Sequence, residues 1–321
     1  MRIVLSLAAL AVTLALPLTG SPAHAQNARS WVASYGVDGN PCTRSQPCAT
    51  FNGALAQTNA GGEINCLDSG DFVDMEITHA VTIDCTGVEA GVEGGVFVTA
   101  NATDVVTLRG LDINGNGVFA QGITFEGGAA LHIEKCVIRN FNSTRTDIPV
   151  AGILDEAAGN SELFVSDTVV TNNGTGAPGA GIWINPFTDN SVAKVTLNRV
   201  EARDNYFGIK ADGNRTAHGV INMTIRDSVS TGNISNGVVG TSFYVAIVMM
   251  IDRSTSSHNA AGFGVIADGP KTTIRLGGSS IAGNINGVGV SNGGVLQSYG
   301  TNQINGNSND GIASLTPIGL H

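Results

Sequence analysis

The sequence is short of basic residues, and this shortage limits its partners. Lys and Arg number 16 against 26 Asp and Glu, so the formal net charge is -10. A nucleic-acid-binding surface needs a basic patch or stripe, so we expect no nucleic-acid partner. Neutral or cationic partners stay open. An anionic polymer would need a locally positive patch or a bridging cation, for which calcium is the candidate.

Signatures of the common catalytic classes are also missing. The chain has no nucleophilic-triad, phosphate-loop or zinc-ligand pattern, and each of those chemistries requires its residue types at a defined spacing. The sequence therefore predicts no cofactor, with calcium as the one cation left open, and it does not decide whether the protein is an enzyme.

Long apolar runs are absent after the N-terminus. The run from Ile3 to Leu16 follows the basic Arg2 and precedes Ala23-His24-Ala25, which predicts a cleaved secretory signal over residues 1–25. This run is short for a membrane span, and no later run is long enough. We therefore expect a secreted or periplasmic mature chain without a transmembrane segment.

A repeat dominates the rest of the chain. The segment from Val195 to Ile209 begins with an apolar residue in column one, Leu197, has Asn205 in column nine, and ends with Gly208-Ile209. The template recurs eight times at spacings of 23 to 32 residues. Column one contains Leu108, Ile133, Val165, Leu197, Ile225, Ile251, Leu276 and Tyr299, and column nine contains Asn116, Phe141, Asn173, Asn205, Asn233, Asn259, Asn284 and Asn307.

A period of this size predicts a solenoid, because one repeat cannot bury its apolar face alone. Short alternating runs separated by Gly, Asn and Asp favour strands and turns over helices. Asn suits column nine because it tolerates a left-handed backbone, and stacked Asn side chains can hydrogen-bond between coils.

These repeats resemble the right-handed parallel β-helix proteins of the pectin-lyase-like superfamily over roughly residues 60 to 315. The resemblance implies an all-β solenoid and leaves the activity open, since that fold carries lyases, hydrolases, epimerases and surface proteins. Pectate lyases often show Trp-Ile-Asp-His, whereas this chain has Trp183-Ile184-Asn185-Pro186. The departure removes two polar groups and puts an inherited calcium site in doubt.

The segment before the repeats predicts an N-terminal cap over residues 26–60, ahead of a β-helix over residues 61–321. Its Gly39-Asn40-Pro41 resembles the entry loop of secreted β-helix proteins, and Thr50 to Thr58 is interpreted as a short helix that covers the end of the core. Cys42 and Cys48 would close a small loop. Stacked coils would place Cys66 and Cys85 about 4.8 Å apart, within disulfide range. Cys136 is left as a buried, unreactive thiol.

Two further columns carry charge. Column three alternates in sign through Lys135, Asp167, Arg199, Asp227 and Arg253, which favours an ion-pair ladder that sets coil register over a charged binding strip. The third position after the Gly-Ile isoleucine holds Glu126, Glu156, Asn185, Asp212 and Asp268 among others, where stacked carboxylates would need a cation or sugar hydroxyls.

This second column gives the candidate site. Trp183 could stack on a sugar face, with Asn185, Glu156 and Asp268 as further substrate-binding residues. Lys210, Asp212 and His218 are the candidate catalytic residues, because Lys210 or His218 could transfer a proton. The competing interpretation is that these polar residues only start turns and that Trp183 packs under its own loop.

Two functions therefore stay open. The first is an exported structural or glycan-binding protein that contacts a polysaccharide or cell-surface glycan. The second is a polysaccharide lyase or glycoside hydrolase with a site that no motif reveals.

Overall fold

The computed structural model describes residues 27–176 and 179–320, so the predicted signal over residues 1–25 lies outside the described residues. The elements are, in chain order, β1 (Asn27–Val32), α1 (Phe51–Gln57), β2 (Thr58–Cys66), β3 (Gly70–Ile77), β4 (Val81–Asp84), β5 (Ala90–Thr99), β6 (Val105–Arg109), β7 (Leu111–Asn114), β8 (Gln121–Gly127), β9 (Ala130–Glu134), β10 (Val137–Arg139), β11 (Ala151–Asp155), β12 (Ser161–Ser166), β13 (Val169–Thr171), β14 (Ala180–Ile184), β15 (Ser191–Asn198), β16 (Glu201–Arg203), β17 (Phe207–Asp212), β18 (Gly219–Arg226), β19 (Val229–Thr231), β20 (Val238–Thr241), β21 (Ala246–Asp252), β22 (Thr255–Ser257), β23 (Phe263–Asp268), β24 (Thr272–Gly277), β25 (Ser280–Ala282), β26 (Asn286–Ser291), β27 (Val295–Ser298), β28 (Gln303–Ile304), a 3₁₀ turn (Ile312–Ser314) and β29 (Leu315–Pro317).

The strands form three parallel faces around one core. Sheet one has twelve strands in the order β1-β2-β4-β6-β9-β12-β15-β18-β21-β24-β27-β29. Sheet two runs β7-β10-β13-β16-β19-β22-β25-β28, and sheet three runs β8-β11-β14-β17-β20-β23-β26. The long strands β3 and β5 turn the corner between them, because β5 pairs with β7 through its first half and with β8 through its second.

Alternation of side chains explains how each strand faces the core. In β15, Ala193, Val195 and Leu197 are buried while Lys194 is exposed, as the twofold period of a strand requires. The predicted columns are confirmed by the pairing: Leu197 is opposite Val165 on one side and Ile225 on the other. One assignment is wrong, because Leu276 pairs with Ser298, so Tyr299 lies one residue past column one.

The N-terminal part contains the predicted helix. α1 begins after Thr50, whose hydroxyl accepts a hydrogen bond from the Gly53 N–H at 2.9 Å, and it buries Phe51, Ala54 and Leu55. Both predicted disulfides are present, with Cα–Cα distances of 4.8 Å for Cys42–Cys48 and 4.9 Å for Cys66–Cys85.

Cys136 is a free, buried cysteine, as predicted. Burial raises the pKa of its thiol to about 11, so the thiolate, which is the reactive form, is disfavoured. Within the described ranges, no helix is long and apolar enough to span a membrane.

Candidate functional site

The candidate residues lie on the outer side of sheet three and in the loops that follow its strands. The register places Leu154, Trp183 and Lys210 side by side on β11, β14 and β17. Neighbouring parallel strands are about 4.8 Å apart, so each side chain contacts the next. The sequence therefore correctly predicts that Trp183 and Lys210 are adjacent.

Lys210 contacts Asp212 and the rings of Trp183 and Phe207. Its Nζ is 2.8 Å from Asp212 Oδ2 and 4.3 Å from the centre of the Trp183 ring. Only 8% of Lys210 is exposed. The carboxylate and the ring face both stabilise a positive ammonium group. In this arrangement the contacts hold the Lys210 side chain in one position.

Trp183 is covered. It is 5% exposed, it packs with Ala151, Leu154 and Ala180, and Phe207 lies against the same cluster. In this conformation its ring is not available at the surface as a sugar platform, and its role in substrate binding stays a prediction. The packing agrees with the competing interpretation, in which Trp183 lies under its own loop.

Asn185 is the next outward residue after Trp183 and is 2% exposed. Its Oδ1 and the Nε1 of Trp183 have no hydrogen-bond partner among residues 27–176 and 179–320. Most buried polar atoms in proteins are paired, so this position is unusual.

Glu156 pairs with Arg215, which extends from the loop after β17. Since Glu156 follows β11 and Asn185 follows β14, Arg215 crosses the whole coil that contains Asn185. The Arg215 guanidinium also lies 5.4 Å from the Phe187 ring centre. The sequence analysis expected a cation or sugar hydroxyls beside the stacked carboxylates. In the structure, Arg215 supplies a positive charge beside Glu156.

Glu126 lies beside Glu156 in the same column. Burial raises the pKa of Glu126, and the carboxylates of Glu156 and Glu76 raise it further. Glu126, Glu76 and Phe97 line an open cleft of about 430 Å³. In the described part of the chain, no group of three or more His, Cys, Asp or Glu side chains is placed to hold a metal ion.

His218 and Asp268 are not brought to Lys210. His218 Nδ1 is 3.1 Å from Asp189 Oδ2, and this bond is the largest cause that lowers the pKa of Asp189. Asp268 accepts hydrogen bonds from Thr241 at 3.1 Å and Asn292 at 2.8 Å. The catalytic role predicted for His218 therefore stays a prediction with no contact to the other candidate residues.

Three exposed aromatic side chains in these loops were not predicted. Phe187 and Phe243 are 46% exposed and Tyr244 is 59% exposed. Asn214 links the loop after β17 to the loop that carries Phe243 and Tyr244, because it accepts a hydrogen bond from the Phe243 N–H at 2.9 Å and donates to Asp212 at 2.9 Å. The available signal was the position of aromatic residues two places after Asn185 and Thr241, where loops begin.

These residues form a continuous surface that we call the outer strip. Its members are Phe97, Glu126, Glu156, Phe187, Arg215, Asn214, Phe243, Tyr244 and Asp268. From β5 to β23 the strip crosses six coil steps, a length of about 29 Å at the usual strand spacing.

Two other features lie apart from the strip. A larger cleft of about 570 Å³, lined by Asp71, Glu89, Asp112 and Lys135 among others, contains none of the predicted site residues. The column-three charges pair as a ladder, with Arg199 2.6 Å from Asp167 and Arg253 2.8 Å from Asp227. The ladder agrees with its interpretation as a register device.

The comparisons with known proteins define the fold. No family model matches the sequence, and no curated protein matches it. The structure is similar to that of pectate lyase Pel9A, with a TM-score of 0.55 and 14% identity over 82% of this chain and 76% of that chain. A GH136 lacto-N-biosidase from Eubacterium ramulus gives a TM-score of 0.41 and 9% identity over 91% of this chain and 67% of that chain, a similarity too low to define a shared fold. The fold is therefore the right-handed parallel β-helix of the pectin-lyase-like type.

Proposed function

We propose that this chain is an exported glycan-binding β-helix protein and that the outer strip is its binding surface. The observation that carries the proposal is the row of exposed aromatic rings, Phe187, Phe243 and Tyr244, beside hydrogen-bonding polar groups. Aromatic faces bind the apolar faces of sugars, and carboxylates accept hydrogen bonds from hydroxyl groups.

The charge of the strip favours a neutral, hydroxyl-rich glycan. Among the described residues, Glu126 and Asp268 form no ion pair, while Lys210 and Arg215 are each already paired with a carboxylate. An anionic polymer would meet uncompensated negative charge here. The carboxylates suit sugar hydroxyls better.

Export and capping belong to the same proposal. Residues 1–25 serve as the signal, and the two disulfides support an oxidising compartment outside the cytoplasm. We assign α1 the role of covering the N-terminal end of the core, because Phe51 and Leu55 pack into the same apolar cluster as Ile64 and Phe72.

A polysaccharide lyase or glycoside hydrolase is the second candidate. The observation in its favour is the nearly buried Lys210–Asp212 pair beside the strip, together with the likeness to a pectate lyase fold. Against it, Lys210 is paired with Asp212 and lies over the Trp183 ring, and His218 is bonded elsewhere.

One experiment separates the two candidates. The mature chain is tested for retention on neutral and acidic polysaccharides, with and without calcium, while unsaturated products and new reducing ends are followed. We expect retention on neutral polymers without turnover, and a loss of affinity of about tenfold in Phe187→Ala or Tyr244→Ala.

Tyr35→Ala is the matched control, because Tyr35 is an aromatic residue exposed to 66% near the N-terminus, outside the strip. Equal losses in Tyr35→Ala and Tyr244→Ala would contradict binding at the strip. Turnover that disappears in Lys210→Ala or Asp212→Ala would instead establish the enzyme.

A further inference from the structure

Two loops, residues 186–190 after β14 and residues 213–218 after β17, follow the strands that carry Trp183 and Lys210, and we call them the two-loop cover. The loops are joined at one end, because the Asn190 N–H donates to the His218 carbonyl at 2.9 Å and the His218 N–H donates to Asp189 at 2.8 Å. At the other end, Arg215 reaches back to Glu156. The cover is thus fastened on both sides of the coil that contains Asn185.

Polar atoms without partners lie in this covered region. The indole N–H of Trp183 is a donor and the Asn185 Oδ1 is an acceptor, both are at least nine-tenths buried, and neither has a partner among the described residues. The two residues are two positions apart and take the same outward side of the chain. A hydroxyl group both donates and accepts, so a ligand with neighbouring hydroxyls can satisfy both atoms.

The remaining contacts suit the same ligand. The Lys210 ammonium group lies over the Trp183 ring, so the subsite offers polar groups to a sugar: the indole N–H and the Asn185 Oδ1, with Lys210 and Asp212, fixed by their 2.8 Å ion pair, as a further donor and acceptor. Phe187, on the cover itself, is exposed at the outer end. A ring that binds first to the outer strip would therefore meet further matching groups beneath the cover.

We infer that the cover is a gate over an inner subsite, formed by Trp183, Asn185, Lys210 and Asp212, which takes one hydroxylated ring of a glycan when the Arg215–Glu156 pair opens. The inference rests on the proposed glycan-binding function. It adds the position of one sugar residue and the pair that controls its entry.

The Arg215–Glu156 pair has the properties of a reversible latch. The Arg215 side chain is 43% exposed and that of Glu156 is 15% exposed, so solvent and salt reach the pair from the arginine side, and ion pairs that solvent reaches are weakened by salt. The join between Asp189, Asn190 and His218 does not involve Arg215. Opening of the latch can therefore lift one end of the cover while the two loops stay together.

Trp183 fluorescence tests the gate without any glycan. The chain has two tryptophans, Trp31 and Trp183, so Trp31→Phe leaves Trp183 as the only indole. In that background we expect Arg215→Ala to raise acrylamide quenching of Trp183 about threefold or more, because local opening of the cover exposes the indole ring to the quencher. Glu156→Gln, which keeps the shape and removes the charge, should do the same, and about 1 M NaCl should raise quenching in the parent protein.

Arg253→Ala is the matched control, because Arg253 also forms an exposed ion pair, with Asp227 in column three. It should leave quenching unchanged. Circular dichroism and thermal unfolding verify that each variant is folded. If folded Arg215→Ala and Glu156→Gln proteins both quench like the parent, the latch is refuted.

The ligand class is tested in the opened Arg215→Ala protein with methyl glycosides of neutral hexoses and with galacturonic acid. We expect a neutral glycoside to restore protection of Trp183, and Asn185→Ala to abolish that protection. If no probe protects Trp183, the sugar assignment of the subsite is refuted. Failure of polymer retention with intact opening would reject the proposed function alone, whereas retention with no opening would reject the gate alone.

Discussion

Asp155 is the residue whose surroundings differ most from those of other acidic side chains in this protein. It ends β11 on the inward side, where the register places Phe125 and Ile184 next to it. It is 1% exposed, and its Oδ2 has no partner among the described residues. Burial, opposed in part by a hydrogen bond from the Ala157 N–H, raises the pKa of Asp155 from 3.8 to about 7.

This pKa makes stability depend on pH in a defined direction. Between pH 4 and 7 the folded state holds a proton that the unfolded state has lost, so Asp155 lowers the free energy of unfolding as the pH rises. We expect Asp155→Asn to gain stability relative to the parent between pH 4 and pH 8, by about 2–4 kcal/mol. Urea unfolding of the variant and the parent at each pH measures this difference in free energy of unfolding. The contributions of the other carboxylates are the same in both proteins and cancel in the comparison. A difference that stays constant with pH would show that Asp155 is ionised in the fold.

At the residue scale, the sequence predicted the ion-pair partners in column three but did not predict the backbone conformation of that column. The charges of column three indicated ion pairs, and Arg199–Asp167 and Arg253–Asp227 confirm them. Every member of that column from 110 to 278 also has positive φ, for example 53° at Arg199. The signal was present, because glycine occupies the same column at Gly110 and Gly278 and is the residue that adopts this backbone most easily.

The burial of Trp183 could not be predicted in the same way. Trp183 packs with Ala151, Leu154 and Ala180, and Phe207 lies against the same cluster, while the reach of Arg215 across a whole coil is set by three-dimensional stacking. A column of the repeat defines which residues are adjacent on successive strands. It does not define which long side chains from the irregular loops fold back over them.

At the scale of elements, the asparagine ladder fixes the corner between sheets two and three. Each side-chain oxygen from Asn173 to Asn307 accepts a hydrogen bond from a backbone N–H of the preceding coil. From Asn205 onward it also accepts from the side-chain amide of the preceding asparagine; Asn173, for example, donates to Asn205 Oδ1 through both groups at 3.0 Å. The ladder ends at Asp310, which accepts from Asn307 at 2.9 Å. The predicted stacking of column nine is therefore confirmed.

The predicted reason for asparagine was partly wrong. The left-handed residue of this turn is the one before the ladder, such as Asn172 with φ 55° and Asp204 with φ 57°. The ladder asparagines are kept for their hydrogen bonds. Asn116 does not belong to the ladder, because it is exposed, has φ 50°, and is separated from Asn173 by the coil in which Phe141 takes the ladder position.

Removal of one ladder side chain should be costly. Asn205→Ala leaves the Asn173 N–H and the Val170 carbonyl without their buried partner, so we expect a loss of about 2–4 kcal/mol in the free energy of unfolding. Asn116→Ala is the control and should cost under about 0.5 kcal/mol. Chemical denaturation measures both. Similar losses in the two variants would mean that the ladder bonds contribute no net stability.

At the scale of the whole molecule, each coil contacts mainly the coils before and after it, so stability adds up along the axis. Both disulfides lie at the N-terminal end, within residues 42–85, while the asparagine ladder begins at Asn173. The two devices therefore stabilise different parts of one continuous core. The first coils rely on covalent links where the ladder is missing.

This division predicts where the protein opens first when a disulfide is removed. Cys66–Cys85 closes a loop with a sequence separation of 19, so the Cys66→Ala/Cys85→Ala protein should lose about 3 kcal/mol of stability in the coils it joins. Hydrogen exchange should then accelerate in β2 to β5, by about 100-fold where exchange follows local opening, while β15 to β24 keep their protection because only neighbouring coils are coupled. Cys42→Ala/Cys48→Ala, with its separation of 6, should have the smaller effect. Equal acceleration along the whole chain would instead show that the coils unfold as one cooperative unit.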